Sequence, residues 1–295
     1  MSKQKSLMKS IFTAFTAIAL LAAVSCQQGS EKKEVSILYP NWAEGIAFTH
    51  LAQAALIDKG YDVEVTPLEP GPIYASIAKG DADIMMDAWL PHTHADYWEK
   101  FGDKLEKIGE SFSGGTTGMV VPHYIDVDSI TELNDHVELF DGEITGIGPG
   151  SGIHRNTDKA IEEYGLEYEQ LTSSGPAMMA SLKRAYDKEE PIIITGWKPH
   201  FMWAEYDLKY LADPKGVYPT DVCAIVTRPG FKEENPVLGE FFTNFNMEET
   251  ELYDLMDAID KADDPSVAAK NWYQENKALV ESWMPEEMKN RSKAE

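Results

Sequence analysis

A four-residue pattern, Trp-x-Pro-His, occurs twice in the chain, each time directly after a stretch of buried character. The first copy, Trp-Leu-Pro-His, occupies residues 89–92, and the second, Trp-Lys-Pro-His, occupies residues 197–200. The preceding stretches, residues 83–88 and 191–196, are short and apolar, which is typical of parallel strands buried on both faces. The repetition of strand and motif predicts two related halves within one α/β chain.

Three tryptophans stand at the predicted carboxyl ends of strands. Trp89 and Trp197 begin the two motif copies, and Trp42 follows a predicted strand over residues 35–39. Ligands of open α/β sheets bind beyond these strand ends. A single tryptophan is more often a core residue, but three at equivalent positions favour a binding site. Indole faces attract quaternary ammonium groups, so the expected ligand is a trimethylammonium compound.

The remaining patterns alternate between strand and helix. Residues 46–59 carry apolar side chains at helical spacing, and residues 61–65 alternate as the next strand. A predicted helix at 73–79 leads into the strand before Trp89. A buried run at 117–122 crosses into a second half of the chain, and a strand at 222–226 returns from it.

This order of elements predicts an α/β fold of two lobes with a ligand cleft between them. Residues 35–115 and 222–295 are expected to form the first lobe, and residues 116–221 the second. A final helix over residues 265–280 is expected to pack on the first lobe.

A glycine-rich turn, Gly-Pro-Gly-Ser-Gly-Ile, occupies residues 148–153 before a predicted helix. It lacks the spacing of a dinucleotide fingerprint and the Lys-Ser/Thr of a P-loop. Backbone N–H groups at a helix N-terminus favour a carboxylate or another small anion. Gly152 and Ile153 are therefore expected to donate their amides to the negative end of the ligand if the turn faces the cleft, although a plain tight turn fits the sequence about as well.

The histidines of the first motif allow two interpretations. His92 and His94 have the spacing of a metal pair, but no acidic or cysteine ligand lies at a supporting distance, so no metal site is expected. His94 is instead expected to hydrogen-bond a ligand carboxylate, while His92 and His200 brace their own loops. The sequence shows no nucleophile elbow, Cys-His pair or His-Glu-x-x-His, and we expect neither enzyme activity nor a cofactor.

Charge and the N-terminal segment indicate where the chain works. The 26 basic and 50 acidic residues give a net charge of −24, which disfavours nucleic acid and anionic membrane surfaces as partners. Residues 1–25, with early lysines and a short apolar run, are predicted to be a signal peptide. A small residue before Cys26 resembles a lipoprotein signal, with Cys26 lipidated and residues 26–34 as a tether. An uncleaved membrane anchor is the alternative.

The second cysteine, Cys223, lies in a predicted strand and has no partner for an intramolecular disulfide. It is expected to be a small buried apolar residue. Packing must then supply the stability of the fold.

Several segments together resemble the glycine betaine-binding proteins of ABC importers. They are residues 87–94, the Gly-x-Gly-Ile at 150–153, and residues 196–214 around the second motif. The resemblance covers nearly all of the chain after about residue 35. It implies a two-lobed periplasmic-binding-protein-like fold of type II, an extracytoplasmic location and an ABC permease in the membrane as partner.

The resemblance also implies roles for individual residues. It places three tryptophans around the trimethylammonium head: Trp42, Trp89 and Trp197. It gives the carboxylate of the ligand to His94 and to the amides of Gly152 and Ile153. Proline betaine is a close alternative to glycine betaine as ligand.

Glu44 leaves the choice of ligand open. We call the three tryptophans Trp42, Trp89 and Trp197 the aromatic box. Choline-binding relatives carry an acidic residue two positions after the first tryptophan of this box, and Glu44 occupies that place here. A choline or carnitine receptor of the same fold is therefore the nearest alternative. A histidine-dependent metal receptor and a surface lipoprotein enzyme are more distant ones.

Overall fold

The computed structural model describes residues 34–291. The predicted signal peptide and Cys26 lie outside the described residues. Among the helices of residues 34–291, none is both long and apolar enough to cross a membrane.

The described chain begins with a β-α-β unit, as the sequence predicts. Strands β1 (Glu34–Tyr39) and β2 (Asp62–Pro67) pair in parallel, and helix α1 (Ala43–Asp58) connects them. The helix starts before residue 46, so that Trp42 is its N-cap residue. Trp42 is thereby fixed at the point where the chain leaves β1 and enters α1.

The next unit carries the first tryptophan motif. Helix α2 (Pro70–Lys79) begins with a proline, whose fixed φ suits the first helical position. Strand β3 (Ile84–Leu90) is buried at every residue and pairs in parallel with β1, which confirms the predicted buried strand. Trp89 is its penultimate residue, and a short helix, α3 (Ala95–Phe101), follows the motif.

Strand β4 (Glu106–Pro122) is much longer than the run predicted at 117–122. Its pairing with a later strand slips at three places, and at each place the alternation of inward and outward side chains is broken. These bulges explain why the first part of the strand escapes a period-two pattern. Two 3₁₀ segments, Gly102–Lys104 and Ile130–Phe140, lie on either side of it.

The second half of the chain repeats the alternation of strand and helix. Strand β5 (Glu143–Thr145) pairs in parallel with β6 (Glu169–Leu171), and α4 (Gly152–Tyr164) connects them. Helix α5 (Gly175–Tyr186) follows and has Pro176 in its first turn. The glycine-rich turn thus leads directly into α4.

The second motif ends a strand in the same way as the first. Strand β7 (Ile194–Lys198) contains Trp197 and pairs in parallel with β5. It starts later than the predicted residue 191 and is followed by α6 (Met202–Glu205) and β8 (Leu208–Tyr210). Strand β9 (Asp221–Thr227) is the predicted returning strand.

The strands join in the order β2-β1-β3-β9-β4-β7-β5-β6, with β8 paired to β4. The central pair, β4 and β9, is antiparallel and connects the two halves. The motif strands β3 and β7 lie on either side of this pair, antiparallel to β9 and β4 respectively. The repeat extends to the backbone, since the Leu90-Pro91 and Lys198-Pro199 peptide bonds are both cis.

The prediction of a single helix over residues 265–280 is wrong, because the helix is interrupted at Asn276. The Asn276 side chain donates to the carbonyl of Trp272 at 3.0 Å and ends the first helix. The first of the two helices packs on α1, and its Tyr273 hydroxyl donates to Asp58 at 3.0 Å. The helices of this C-terminal segment are α7 (Phe231–Glu234), α8 (Pro236–Asn244), α9 (Glu249–Asp260), α10 (Pro265–Glu275), α11 (Lys277–Ser282) and α12 (Glu286–Lys289).

Candidate functional site

A cavity lies where β3, β7 and the first turns of α1 and α4 meet. Its empty volume is about 240 Å³ with the open space at its mouth included. All but one of the binding residues expected from the sequence line it. The lining residues are Trp42, Glu44, Trp89, Thr93, Thr117, Ile147, Ser151, Gly152, Ile153 and Trp197.

Trp89 owes its position to a glycine on the neighbouring strand. A Cβ on Gly115 would lie 2.8 Å from Cζ3 of the Trp89 ring. Side chains do not tolerate such a distance, so only glycine lets the indole lie against β4. Trp89 is 3% exposed, and its ring nitrogen has no hydrogen-bond partner among the described residues.

Trp197 is held at both its ring and its backbone. Its indole N–H donates to Glu44 Oε2 at 2.9 Å, which joins β7 to the first turn of α1. Trp203 donates its own indole N–H to the Trp197 carbonyl at 2.7 Å. Because Trp197 is only 3% exposed, these bonds fix the ring in a dry environment.

The two motif histidines have different roles. The His200 ring packs edge-on against Trp197 at 4.7 Å between centroids, and its Nδ1 accepts the Met202 N–H at 3.0 Å. His200 therefore braces its loop with its side chain, as expected. His92 has an exposed side chain, and only its backbone N–H braces the loop, donating to Asp221 at 2.7 Å.

Asp221, at the start of β9, anchors the whole first motif loop. Besides His92, it accepts the backbone N–H of Thr93 at 2.8 Å through its other oxygen. Bonds to a charged acceptor are stronger than neutral ones. No sequence pattern singles out Asp221, because its partners are backbone groups far away along the chain.

His94 does not line the cavity itself, but it lies directly beside it. Its ring centroid is 5.8 Å from that of Trp42, and its neighbour Thr93 is a lining residue. Nδ1 accepts the Trp89 backbone N–H at 3.1 Å, and the Tyr74 hydroxyl approaches the same atom at 3.2 Å.

These contacts fix the protonation of His94. Burial lowers the pKa of the imidazole to about 3, so the ring is neutral at physiological pH. Since Nδ1 is an acceptor, the single proton lies on Nε2. This Nε2–H is buried and has no partner among the described residues. His94 thus keeps one N–H donor in reserve beside the tryptophans.

The glycine turn also leaves donors free. Ser151 caps α4 by accepting the His154 N–H, but the N–H groups of Gly152 and Ile153 find no acceptor among the described residues. Both residues line the cavity. Their amides lie at the positive end of the α4 dipole, where an anion is stabilised.

Gly152 is also a point of close contact between the two motif-bearing halves. A Cβ at this position would lie 2.0 Å from the carbonyl oxygen of Thr93. No side chain fits there, so glycine is a steric requirement of the contact.

Two buried carboxyls lie close to the tryptophans. Glu44 is fully buried in the first turn of α1, and its pKa is raised well above the usual value by burial and by the nearby Asp87. Asp87, in β3, is also buried, and burial raises its pKa to about 7. The Cys223 thiol and the Trp89 indole N–H face Asp87 and lower its pKa somewhat, but neither meets the geometry of a hydrogen bond.

Sequence reasoning missed Asp87, Thr93 and Thr117. Asp87 carried a signal, since a carboxylate inside an otherwise apolar strand is uncommon. The hydroxyls of Thr93 and Thr117 are buried without a partner, and both residues line the cavity. Only the pairing of Thr117 with Trp197 across β4 and β7 brings that threonine to the site.

Residues 34–291 contain no cluster of three or more His, Cys, Asp or Glu side chains arranged to hold a metal ion. Cys223 is buried and unbonded, as the sequence predicts.

The sequence profile of the substrate-binding domain of ABC-type glycine betaine transport systems matches residues 33–275. The chain belongs to this family. Its members are transport substrate-binding domains rather than enzymes.

Individual relatives agree with this assignment. The glycine betaine/carnitine transport binding protein GbuC of Listeria monocytogenes is 37% identical over 144 residues, which is 48% of this chain and 48% of that protein. The match therefore spans about half the length of this relative.

Two crystal structures are similar over nearly the whole described chain. Lactococcal OpuAC, closed around glycine betaine, shares 34% identity over 85% of this chain and 99% of its own, with a TM-score of 0.81. ProX from Borrelia burgdorferi, a glycine betaine/L-proline-binding protein, shares 30% identity over 87% and 98%, with a TM-score of 0.83. These structures confirm the expected α/β fold of the periplasmic-binding-protein type.

Proposed function

We propose that this chain is the extracytoplasmic receptor of an ABC importer and that it captures glycine betaine or proline betaine. The observation that carries the proposal is the content of one small cavity: three indoles together with two unpaired backbone amides, and an unpaired imidazole N–H beside them. These groups match the cationic and anionic ends of a betaine.

The tryptophans Trp42, Trp89 and Trp197 would hold the trimethylammonium head. Each indole face attracts a cation, and the attraction strengthens where water is excluded. Trp89 and Trp197 are nearly inaccessible to solvent, which meets that condition. A quaternary ammonium also carries no N–H, so it leaves no donor unpaired among the aromatic rings.

The carboxylate of the ligand would bind the amides of Gly152 and Ile153 and the Nε2–H of His94. A neutral imidazole that donates one hydrogen bond fits this role, because its other nitrogen is already occupied by the Trp89 N–H. The end of α4 adds the favourable field of the helix dipole. A ligand without a carboxylate would leave these donors unpaired, at a cost in affinity.

Choline or carnitine is the second candidate, and Glu44 is the observation that favours it. One Glu44 oxygen lies buried without a partner and could accept the hydroxyl of choline or balance its charge. Carnitine retains the carboxylate, and the Listeria relative is named for both glycine betaine and carnitine. Betaines fit better than choline, because their carboxylate can accept from the amides of Gly152 and Ile153 and from His94 Nε2–H.

The two halves of the sheet would act as two lobes that close over the ligand, with residues 35–115 and 222–295 as the first lobe and 116–221 as the second. Two hydrogen bonds join these parts and would hold the closed form: Trp197 to Glu44, and the Tyr97 hydroxyl to the Gly150 carbonyl at 2.7 Å. A ligand held by both lobes stabilises the closed form, which an ABC permease would then recognise.

A lipid on Cys26 would keep the receptor at the outer face of the membrane that carries the permease. This part of the proposal rests on the N-terminal sequence alone. We further infer that the protein performs no chemistry on its ligand and needs no cofactor.

Calorimetric titration of the full chain with glycine betaine tests the proposal. We expect saturable binding, weakened about tenfold or more by Trp197→Ala, because one wall of the box is lost and Glu44 loses its partner. Trp98→Ala is the matched control, since Trp98 is a half-buried tryptophan of α3 that does not line the cavity. Unchanged affinity in Trp197→Ala would refute the box.

A further inference from the structure

Two carboxyls are buried behind the tryptophans with almost no polar partners. Glu44 makes one side-chain bond, to Trp197, and its other oxygen has no partner among the described residues. Asp87 has no partner for either oxygen. Glu44 lines the cavity, whereas Asp87, in β3, does not; a Cβ added to Gly45 would lie 2.9 Å from Asp87 Oδ2.

Such an arrangement weakens the fold unless something else compensates. A buried carboxyl without hydrogen bonds destabilises the folded state relative to an apolar side chain of the same shape. No positive side chain forms a salt bridge with either carboxyl among the described residues. The compensating cation is therefore expected to come from outside the protein.

We propose that Glu44 and Asp87 act together as the counter-charge of the binding site, and that Asp87 is the positioning residue that makes the site select a positively charged head group over a neutral one of equal shape. The proposal rests on the function proposed above and adds to it the source of its charge selectivity. The aromatic box matches the shape of the head group, and the carboxyl pair favours its positive charge.

The two carboxyls are close enough to influence each other's ionisation, so they do not both become charged easily. A cation among the tryptophans would favour loss of a proton from the pair. Asp87 does not line the cavity and acts through Glu44, whose ionisation depends on the charge of Asp87. The deep position of Asp87 also shields the charge from water, which strengthens its field at the cavity.

The other titratable groups around Asp87 leave this role to the pair. Burial raises the pKa of the Cys223 thiol on β9 and of the Tyr74 hydroxyl on α2, so both stay neutral. Asp221 uses both oxygens to hold the first motif loop. His94 is neutral at the pH of the test, since its pKa is about 3.

The test compares two ligands of one shape on the full chain. Glycine betaine carries a cationic nitrogen, and 3,3-dimethylbutanoate carries a neutral carbon in its place. We expect Asp87→Asn, which keeps the shape of the side chain, to reduce the ratio of the two affinities about tenfold. Glu44→Gln is expected to reduce it at least as much. A purely structural effect would weaken both ligands in parallel and leave the ratio unchanged.

Proton release provides a second readout. Because the Asp87 pKa is about 7 without ligand, glycine betaine binding near pH 7 should release a fraction of a proton. Calorimetry in two buffers of different ionisation enthalpy measures it. Asp87→Asn should reduce the release, and the neutral analogue should cause none. If the analogue binds too weakly for a ratio, proton release alone decides.

Asp103→Asn is the matched control, because it makes the same change at an exposed aspartate of the 3₁₀ segment Gly102–Lys104 that does not line the cavity. It should leave the affinity ratio and the proton release as in the wild type. Binding of glycine betaine with a ratio and a proton release that survive Asp87→Asn would overturn this inference and leave the proposed function standing. Failure of the wild type to bind glycine betaine would overturn both.

Discussion

The tryptophans of the site depend on small neighbours as much as on their own chemistry. Trp89 lies against the backbone of Gly115, and Gly152 lets the second half of the chain approach the Thr93 carbonyl. Aromatic side chains were easy to select from the sequence because they are rare and repeat. The glycines that make room for them are ordinary residues whose importance appears only once the strands are paired.

Gly115→Ala tests this dependence. The added methyl would overlap the Trp89 ring, so the indole must rotate or β4 must shift. We expect the affinity for glycine betaine to fall about tenfold. The free energy of unfolding should fall by about 1 to 3 kcal/mol. Calorimetry and urea unfolding measure the two quantities.

Gly71→Ala in α2 is the control for that substitution, since its Cβ would meet only the Tyr97 ring at 3.5 Å, an ordinary contact. Its affinity should match the wild type. A Gly115→Ala protein with wild-type affinity would show that the position of the Trp89 ring is not important for binding.

Among the site residues, those with a chemical signature could be predicted and those defined by long-range pairing could not. The sequence identified the three tryptophans, the glycine turn and Glu44, and the structure brings them to one cavity. Asp221 and Thr117 were missed, because they reach the site only through strand pairing between distant segments. Asp87 was visible as a charge in an apolar strand and was passed over.

The secondary structure elements were predicted well where one pattern holds from end to end. The strands β1, β3 and β9 and the helix α1 follow such patterns. Strand β4 was recognised only in its last part, because bulges against β9 interrupt the alternation. The break at Asn276 was missed because a side-chain bond to Trp272, rather than a proline or glycine, ends α10.

The loop that follows β7 carries His200, and from this residue we predict how stability depends on acid pH. His200 is 3% exposed, and burial lowers its pKa to about 3 from 6.5. Below pH 6.5, His200 binds a proton in the unfolded chain but stays neutral in the folded chain. Unfolding therefore becomes more favourable as the pH falls. The stability due to the neutral ring is complete above pH 6.5 and is lost progressively toward pH 3.

His200→Asn should remove this dependence, because Oδ1 of asparagine can accept the Met202 N–H but does not ionise. Between pH 6.5 and 4.5 we expect the variant to lose about 2 kcal/mol less unfolding free energy than the wild type. Urea unfolding at both pH values measures it. His123→Asn, at an exposed histidine, should follow the wild type; equal losses in all three proteins would contradict the argument.

The whole molecule is organised around contacts that close the two proposed lobes on each other. Arg155, on α4, donates to the Thr93 carbonyl at 3.1 Å, pairs with Asp96 at 3.0 Å and lies over the Tyr97 ring at 5.2 Å. All three partners belong to the first motif loop or to α3. Arg155 therefore links α4 to the first motif loop and to α3.

Arg155→Gln should weaken the closed state without altering the cavity. The pair with Asp96 is partly exposed, so we expect only about 0.5 to 1 kcal/mol, or a several-fold faster release of ligand. Stopped-flow fluorescence measures the dissociation rate. Arg184→Gln on α5 is the control, because among the described residues Arg184 bonds only to Ser181 within its own helix. Identical dissociation rates in both variants would show that Arg155 does not stabilise the closed state.

At the scale of the whole molecule, we propose that one cavity recognises both ends of a betaine. The most direct test is intrinsic tryptophan fluorescence of the full chain, titrated in parallel with glycine betaine and choline. We predict a saturable change with glycine betaine and a much weaker response to choline, which has no carboxylate for His94, Gly152 and Ile153. A response to choline alone would contradict the account, because it would leave the box in use and the donors of the glycine turn without a ligand.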